Sequence, residues 1–489
     1  MKQNLFNLSN YRMMSSFGGE LVPLDVRECL PNDKLRGNTE VFMRLNALVA
    51  PTMHPLKVKV FHFFVPTRIL WSNWEAFITQ GAYGSTPPVH PYLNIDDSYD
   101  EGDLPDYMGI PPQATGQTLQ VNALPFAAYY KIYDDFFRDQ DLVATRSFPL
   151  ANGNNTTAFS LLGLTPENVS WKKDYFTTAR PWPQKSADVP IPQSGIVTNG
   201  SSITVSDSVV VDSPLTRSAG TGGVFMGGPA AGGTNIEFGD ESGLQMDDSA
   251  NIRDLRLAGA LQRFFENRAS DGSRLVEYLR RAFGASVQDS RLQNAELISY
   301  GEKTINFSEV LQTAEGTDPV GTLRGHGVAG LASNKFEYYV PEHGWFMTLA
   351  YIMPEPVYDS AIERHWLKST FVDYFQSEFE AVGQQEILPR EIQAKLASVS
   401  PTVPFGYQDR YDEYRRALSS ISGLFRTTLS TWHMARMTNS VPTLNDSFIL
   451  EAPTQRVFAD TVNQPYLWLV FNKMAARRNV KKAVKRRIL

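Results

Sequence analysis

Between Leu56 and Val60 apolar and charged positions alternate. Leu56, Val58 and Val60 fall on one side, Lys57 and Lys59 on the other. A period of two is that of a half-buried strand. From Val60 to Val65 both sides become mostly apolar, so the strand runs into a core covered on two faces. Pro66 stops it, because proline has no N–H to give to a ladder. A short helix is predicted next: Ser72 and Glu75 have capping-box spacing, and Leu70, Trp74, Phe77 and Ile78 share one helical face. These aromatics read as core packing.

Around this stretch the pattern is uneven. Residues 1–38 are polar with few periodic runs and read as an extended N-terminal arm with turns, either wrapping a neighbour or loosely ordered. Residues 39–50 alternate loosely and give a first strand, and residues 82–120 read as loop. Leu124 to Asp141 reads as a helix, with Pro125 suited to its first turn and an aromatic stripe through Phe126, Tyr129 or Tyr130, Tyr133 and Phe137. Helical periodicity returns at Asn251. Leu255, Ala258, Leu261 and Phe265 share one face, Asp271-Gly272 makes a turn, and Leu275, Leu279 and Phe283 start a second helix. Arg274, Arg280 and Arg281 raise a DNA-binding helix-turn-helix, but the long apolar faces favour a structural hairpin. Strands are predicted again at 335–340, 344–353 and 465–473. Strands at both ends of the chain with long insertions between them suit a mainly β fold, an eight-stranded antiparallel jelly roll with several helices, in which first and last strands pair in one sheet.

Composition changes the picture in two places. From Ser186 to Ala250 there are eleven glycines, and eight acids face the single base Arg217, which reads as a surface excursion with short hairpins. Its Gly220 to Gly233 run lacks the Gly-Lys-Ser/Thr end of a phosphate loop. The end of the chain is the opposite. Lys473, Arg477, Arg478, Lys481, Lys482, Lys485, Arg486 and Arg487 are eight bases with no acid among them; on a total of −6 they leave the remainder at −14. Like charges at that density call for an anion, and a phosphate backbone relieves them by counterion release without base specificity. These eight residues are the candidate nucleic-acid contacts.

Other chemistry is thin. The seven histidines (His54, His62, His90, His326, His343, His365 and His433) make no metal-ligand spacing, and no GxSxG elbow is present. Asp96, Ser98 and Asp100 start like a calcium loop, but Glu101 stands where glycine belongs and Tyr107 where glutamate belongs. No cofactor or metal is expected. Cys29 is the only cysteine, so no disulfide framework is possible within one chain, which fits a reducing compartment. The N-terminus lacks the apolar region of a signal peptide, and the most apolar run, Trp345 to Pro354, is too short to span a bilayer.

Several blocks together resemble one family. FHFFVPTRILWSNWEAFI (61–78), the LPFxAYxxIYxxxFRDQ pattern (124–140), WKKDYFTTARPWPQKS (171–186), Asp254-Leu255-Arg256-Leu257, Asp289 to Gln293, Pro404 to Arg410 and Thr431-Trp432-His433 are similar to the major capsid proteins of the Microviridae, nearest the gokushovirus group. The resemblance implies a non-enzymatic shell protein with a jelly-roll core, assembled in a bacterial cytoplasm into the smallest icosahedral shell of about sixty copies. It also implies packaged single-stranded DNA, small DNA-binding or pilot virion proteins, and a host surface receptor. The segments are then an arm (1–38), a first core part (39–185), a glycine-rich protrusion (186–250), a helical hairpin with the second core part (251–472) and a basic tail (473–489). The protrusion is where the receptor contact is placed, at Gly222, Phe225, Met226 and Gly228. Two other classes compete: a carbohydrate-binding β-sandwich adhesin, with Trp171 and Trp182 as stacking platform, and a glycoside hydrolase on a β scaffold, for which no motif is present.

Overall fold

The computed structural model describes residues 3–82, 86–190, 252–270, 272–311, 323–396, 403–438 and 440–482, and six short strands within 191–251. The chain divides into two compact units, residues 1–183 with 269–489, and residues 184–268.

In the larger unit eleven strands form two sheets. They are β1 (Asn4–Asn7), β2 (Asn10–Ser16), β3 (Val22–Cys29), β4 (Lys34–Leu45), β5 (Leu56–Pro66), β6 (Glu296–Thr304), β7 (Asn306–Leu311), β8 (Leu323–Ala332), β9 (Phe336–Tyr339), β10 (Gly344–Pro354) and β11 (Tyr466–Arg478). The first sheet has seven strands, with β11 and β4 at its centre, β1 and β2 beyond β11, and β8, β7 and β9 on the other side of β4. The second has four, in the order β6, β5, β10, β3. All pairings between them are antiparallel. Chain order alternates between sheets, so that β2-β11-β4-β8 lies against β3-β10-β5-β6, which is the strand order of a jelly roll. The first sheet carries β1, β7 and β9 in addition to its four strands of that order, so the two sheets hold seven and four strands.

Strand parity builds two cores from one strand. Leu56, Val58 and Val60 of β5 point between the sheets, where they meet Val41, Met43, Leu331, Ile352, Trp468 and Val470. Phe63 and Val65 point the other way, against the helix Leu124–Ile132 and its buried Phe126, Tyr129 and Tyr130. This is the strand covered on two faces that its sequence predicts. His62 keeps the inward parity and is fully buried. Its Nδ1 lies 3.0 Å from the Thr348 hydroxyl and its Nε2 2.9 Å from that of Ser333. Ser333 Oγ also accepts from the Thr39 N–H at 2.9 Å, so one imidazole links the two sheets. Burial pushes His62 down to about 4.

Several elements differ from expectation. The arm is not an arm: residues 4–16 pair along β11, and Val22–Cys29 pairs with β10, because Val22, Leu24 and Cys29 are core residues. The helix predicted after Pro66 is two short ones, Thr67–Leu70 and Trp74–Thr79, with Asn73 preceding the second. The loop 82–120 holds a short helix, Leu104–Met108, and a strand pair, Tyr92–Ile95 with Leu119–Asn122. The Leu124 helix runs to Ile132, widens into a π-turn over Tyr133–Phe137, and ends where Arg138 turns extended. Helices occur at Ile252–Ser270 and Leu275–Phe283, where the sequence predicts them. The last strand continues to Arg478, five residues beyond the apolar run, because Ala475–Arg478 pairs with β1.

The smaller unit spans 184–268, wider than the predicted 186–250. Its described strands are short and antiparallel: Thr204–Ser206 beside Ser213–Arg217 and Glu237–Phe238, Val224–Met226 beside Ser213–Arg217, and Ile196–Thr198 beside Leu244–Met246.

Candidate nucleic-acid interface

The outward face of the seven-stranded sheet follows from the inward one. In β11 Tyr466, Trp468, Val470, Asn472, Met474 and Ala476 are buried, which turns Leu467, Leu469, Phe471, Lys473, Ala475 and Arg477 outward. In β4 the same alternation turns Lys34, Arg36, Asn38, Glu40, Phe42 and Arg44 outward. Register sets these residues side by side: Lys34 opposite Arg477, Arg36 opposite Ala475, Asn38 opposite Lys473, Glu40 opposite Phe471, Phe42 opposite Leu469 and Arg44 opposite Leu467. Arg324 and His326 of β8 lie on the same face, since Val328 of that strand stands opposite Arg44. Glu40 and Glu337 are the acids that register places there.

Charge is least balanced at one end. Lys34 and Arg477 are exposed, directly opposed and, among the described residues, without an ion partner. Like charges in that position repel by a few tenths to about 1 kcal/mol unless an anion lies between them. Beside them is a hollow of about 360 Å³ lined by Asn7, Ser9, Arg36, Asn38, Lys335 and Lys473. Lys473 is partnered there, 2.5 Å from Glu40, and its hydrogen bond holds the Glu40 carboxyl below the usual range. The strands meet closely at this point. A Cβ on Gly37 would lie 2.0 Å from the Lys473 carbonyl oxygen, so only glycine fits.

Aromatic rings occupy the middle of the same face. Tyr11, Phe42 and Phe471 are 39–69% exposed, far from the burial that large rings normally find. Tyr11 and Phe471 are a cross-strand pair with centroids 6.5 Å apart, and the Arg44 guanidinium lies 6.0 Å from the Phe42 centroid. A charged sheet face with rings set into it has the two parts a single-stranded nucleic acid needs: cations for the backbone and flat surfaces on which bases stack.

The predicted contacts distribute as follows. Lys473 and Arg477 lie on this face, and Lys481 and Lys482 follow it, exposed. Arg478 does not. It points to the other side of β11, where its Nε is 2.9 Å from Asp33 and its terminal nitrogen donates to the Glu28 carbonyl at 3.0 Å. Asp33 has no solvent exposure; burial pushes its carboxyl up, and Arg478 works against that. Arg478 is thus a fold residue, held by a buried carboxylate. Lys485, Arg486 and Arg487 lie outside the described residues, as do Gly222 and Gly228. Phe225 and Met226 belong to the strand Val224–Met226, with their side chains outside what is described. The sequence reading missed Lys34, Arg36, Arg44, Arg324, Lys335, Tyr11, Phe42 and Phe471. The alternation of 34–44 carried a signal for half of them, because its outward positions are Lys, Arg, Asn, Glu, Phe and Arg.

The remaining candidates are structural. Trp171 is buried, donates from Nε1 to the Glu451 carbonyl at 2.7 Å and carries the Arg436 guanidinium over its ring, so it forms no stacking platform. Burial pushes the Cys29 thiol up to about 12, the state of an unreactive core cysteine. Asp96 accepts from the N–H and hydroxyl of Ser98, closing its own turn. Among the described residues no group of histidine, cysteine or acid side chains could hold a metal, and no helix is long and apolar enough to cross a membrane.

Comparison with known proteins adds the family. The model described as "Capsid protein (F protein)" matches residues 1–484. Capsid protein VP1 of Bdellovibrio phage phiMH2K is 33% identical over 459 residues, covering 88% of this chain and 84% of its own. Capsid protein VP1 of Chlamydia phage 1 is 29% identical, covering 90% and 88%, and that of Spiroplasma virus 4 is 27% identical, covering 88% and 85%.

Proposed function

Since the chain belongs to the capsid protein (F protein) family and is a structural major capsid protein of a Microviridae phage, we propose that its seven-stranded sheet lines the shell interior and holds single-stranded DNA. Membership implies a multi-copy capsid and a place in the virion. About sixty copies around one genome is the closed arrangement we favour. Particles form in the host cytoplasm before release.

One observation carries the DNA reading: free cations and exposed rings share the outward face of β2, β4 and β11. Lys34, Arg36, Lys335 and Arg477 meet phosphates, Lys473 joins them only by leaving Glu40, and the tail lysines and arginines extend the contact. Tyr11, Phe42 and Phe471 stack bases whatever their identity. Small DNA-binding or pilot proteins would share the interior. The segment 186–250, rich in glycine and acid, would face the host receptor, since its charge is wrong for a DNA-facing surface.

The test is to purify particles from cells expressing the chain with its phage partners, digest with nuclease, and crosslink what remains by ultraviolet light. Protected single-stranded DNA joined to peptides holding Tyr11, Phe42 or Phe471 supports the reading. Protected DNA crosslinked only to other surfaces refutes the assignment of this sheet. The adhesin alternative has no support once Trp171 is buried and the family is known.

A further inference from the structure

A second exposed aromatic surface lies away from the charged sheet. Residues 364–379 form three 3₁₀ turns, Arg364–Leu367, Phe371–Asp373 and Ser377–Phe379. Trp366, Phe371, Tyr374, Phe375 and Tyr414 are 49–74% exposed. They are not loose. The buried Tyr411 donates its hydroxyl to the Tyr374 carbonyl at 3.0 Å and packs its ring 5.2 Å from Phe375. Asp373 accepts from the backbone N–H of Thr370 at 2.7 Å and of Ser369 at 3.0 Å. Lys368 donates to the Tyr414 hydroxyl at 3.0 Å and lies over both the Tyr414 and Tyr374 rings. A hollow of about 240 Å³ opens beside them, with Tyr175, His365 and Lys368 in its wall.

Charge decides what such a surface can receive. Arg364 is paired with Glu391 at 2.8 Å, Lys368 with Glu413 at 3.1 Å and Arg415 with Glu380 at 2.9 Å. With Arg364, Lys368 and Arg415 neutralised from within, the patch offers a phosphate backbone little besides Arg410, which lies over the Phe379 and Tyr411 rings, unlike the sheet face. What it offers is pre-ordered aromatic area. At roughly 150–250 Å² per ring, the five side chains present on the order of 500–800 Å² to solvent. That approaches the ~800 Å² each partner contributes to a stable protein interface, and aromatics on a rigid support are the anchors such interfaces use.

We infer that Trp366, Phe371, Tyr374, Phe375 and Tyr414 form a contact surface on which a second copy of this chain seats in the assembled shell. The inference rests on the multi-copy reading above and adds where copies meet. A neighbour's apolar side chain fills the hollow beside Tyr374, and the exposed Arg415–Glu380 pair stands at the polar rim.

Hydroxyl-radical footprinting of intact particles, and of the same particles dissociated into folded subunits, tests it. Trp366 and Phe371 are expected to be protected in particles and oxidised in free subunits; equal oxidation in both overturns the inference. The variant Trp366→Ala/Phe371→Ala should melt like the unaltered chain and need about tenfold more protein, or more, to form shells. Shells at the unaltered concentration overturn it. If the unaltered chain yields no particles with its phage partners, the shell reading itself falls and this surface with it.

Discussion

Neutralising Lys34, Arg36 and Arg477 to glutamine tests the charged face without disturbing the fold. All three side chains are exposed and, among the described residues, none has an ion partner, so stability should move by no more than about 0.5 kcal/mol. Removing the opposition of Lys34 and Arg477 could even raise the melting point slightly. Binding should respond strongly. Each phosphate contact on a single strand contributes about 0.7 to the slope of log affinity against log salt. Losing three contacts lowers the slope by about 2, so over a fourfold salt range the affinity of the variant falls by ~20-fold less than that of the unaltered chain. Fluorescence anisotropy with a labelled oligo-deoxythymidine at several salt concentrations measures both slopes. An unchanged slope in a folded variant would refute the claim that these residues meet phosphates.

Four further outcomes follow from the structure. Arg478→Ala should cost ~3–5 kcal/mol of unfolding free energy by denaturant titration, because it leaves the buried Asp33 carboxylate without a countercharge, held only by the Leu30 N–H; a loss under 1 kcal/mol would return Arg478 to the solvated tail. His62→Ala should cost ~2–5 kcal/mol, combining a cavity with the loss of the imidazole partner of the Thr348 and Ser333 hydroxyls, of which Ser333 keeps the Thr39 N–H, and calorimetry should show a lower melting temperature. Burial pushes the Glu20 and Glu167 carboxyls up to about 7 from 4.5, so the stability they contribute is complete below about pH 4.5 and is lost as pH rises through 7. Glu20→Gln/Glu167→Gln should flatten that decline between about pH 4.5 and 7, and parallel curves would contradict it. Deleting residues 186–250 should leave shells that assemble but attach poorly to host cells; failure of assembly would count against an outward position.

Much of the fold was legible because it depends on local period. β5 could be read from its alternating lysines and the following apolar run, and Pro125 with the aromatic stripe marked the helix that covers it. The pairing of first and last strands emerged from their positions in the chain, and β4 does lie along β11. What period could not show was pairing that supplies burial from elsewhere. Residues 4–16 look polar, yet become strands because β11 offers them an edge. The charged face was half legible for the same reason. The tail announced itself as a run of like charge, but Arg478 is drawn to Asp33, more than four hundred residues earlier, while Arg36 and Lys335 join the site only through folding. The exposed rings at 366–375 carried no period, being set in short turns around Tyr411.

A reconstruction of the DNA-filled particle by electron microscopy is the most direct measurement of how this chain works. Density for nucleic acid against Phe42 and Phe471, with Lys34, Arg36 and Arg477 turned toward the particle centre, is the predicted result. The same sheet face on the particle exterior, or buried between copies with no nucleic acid near it, would contradict a shell wall that holds its genome by charge and stacking.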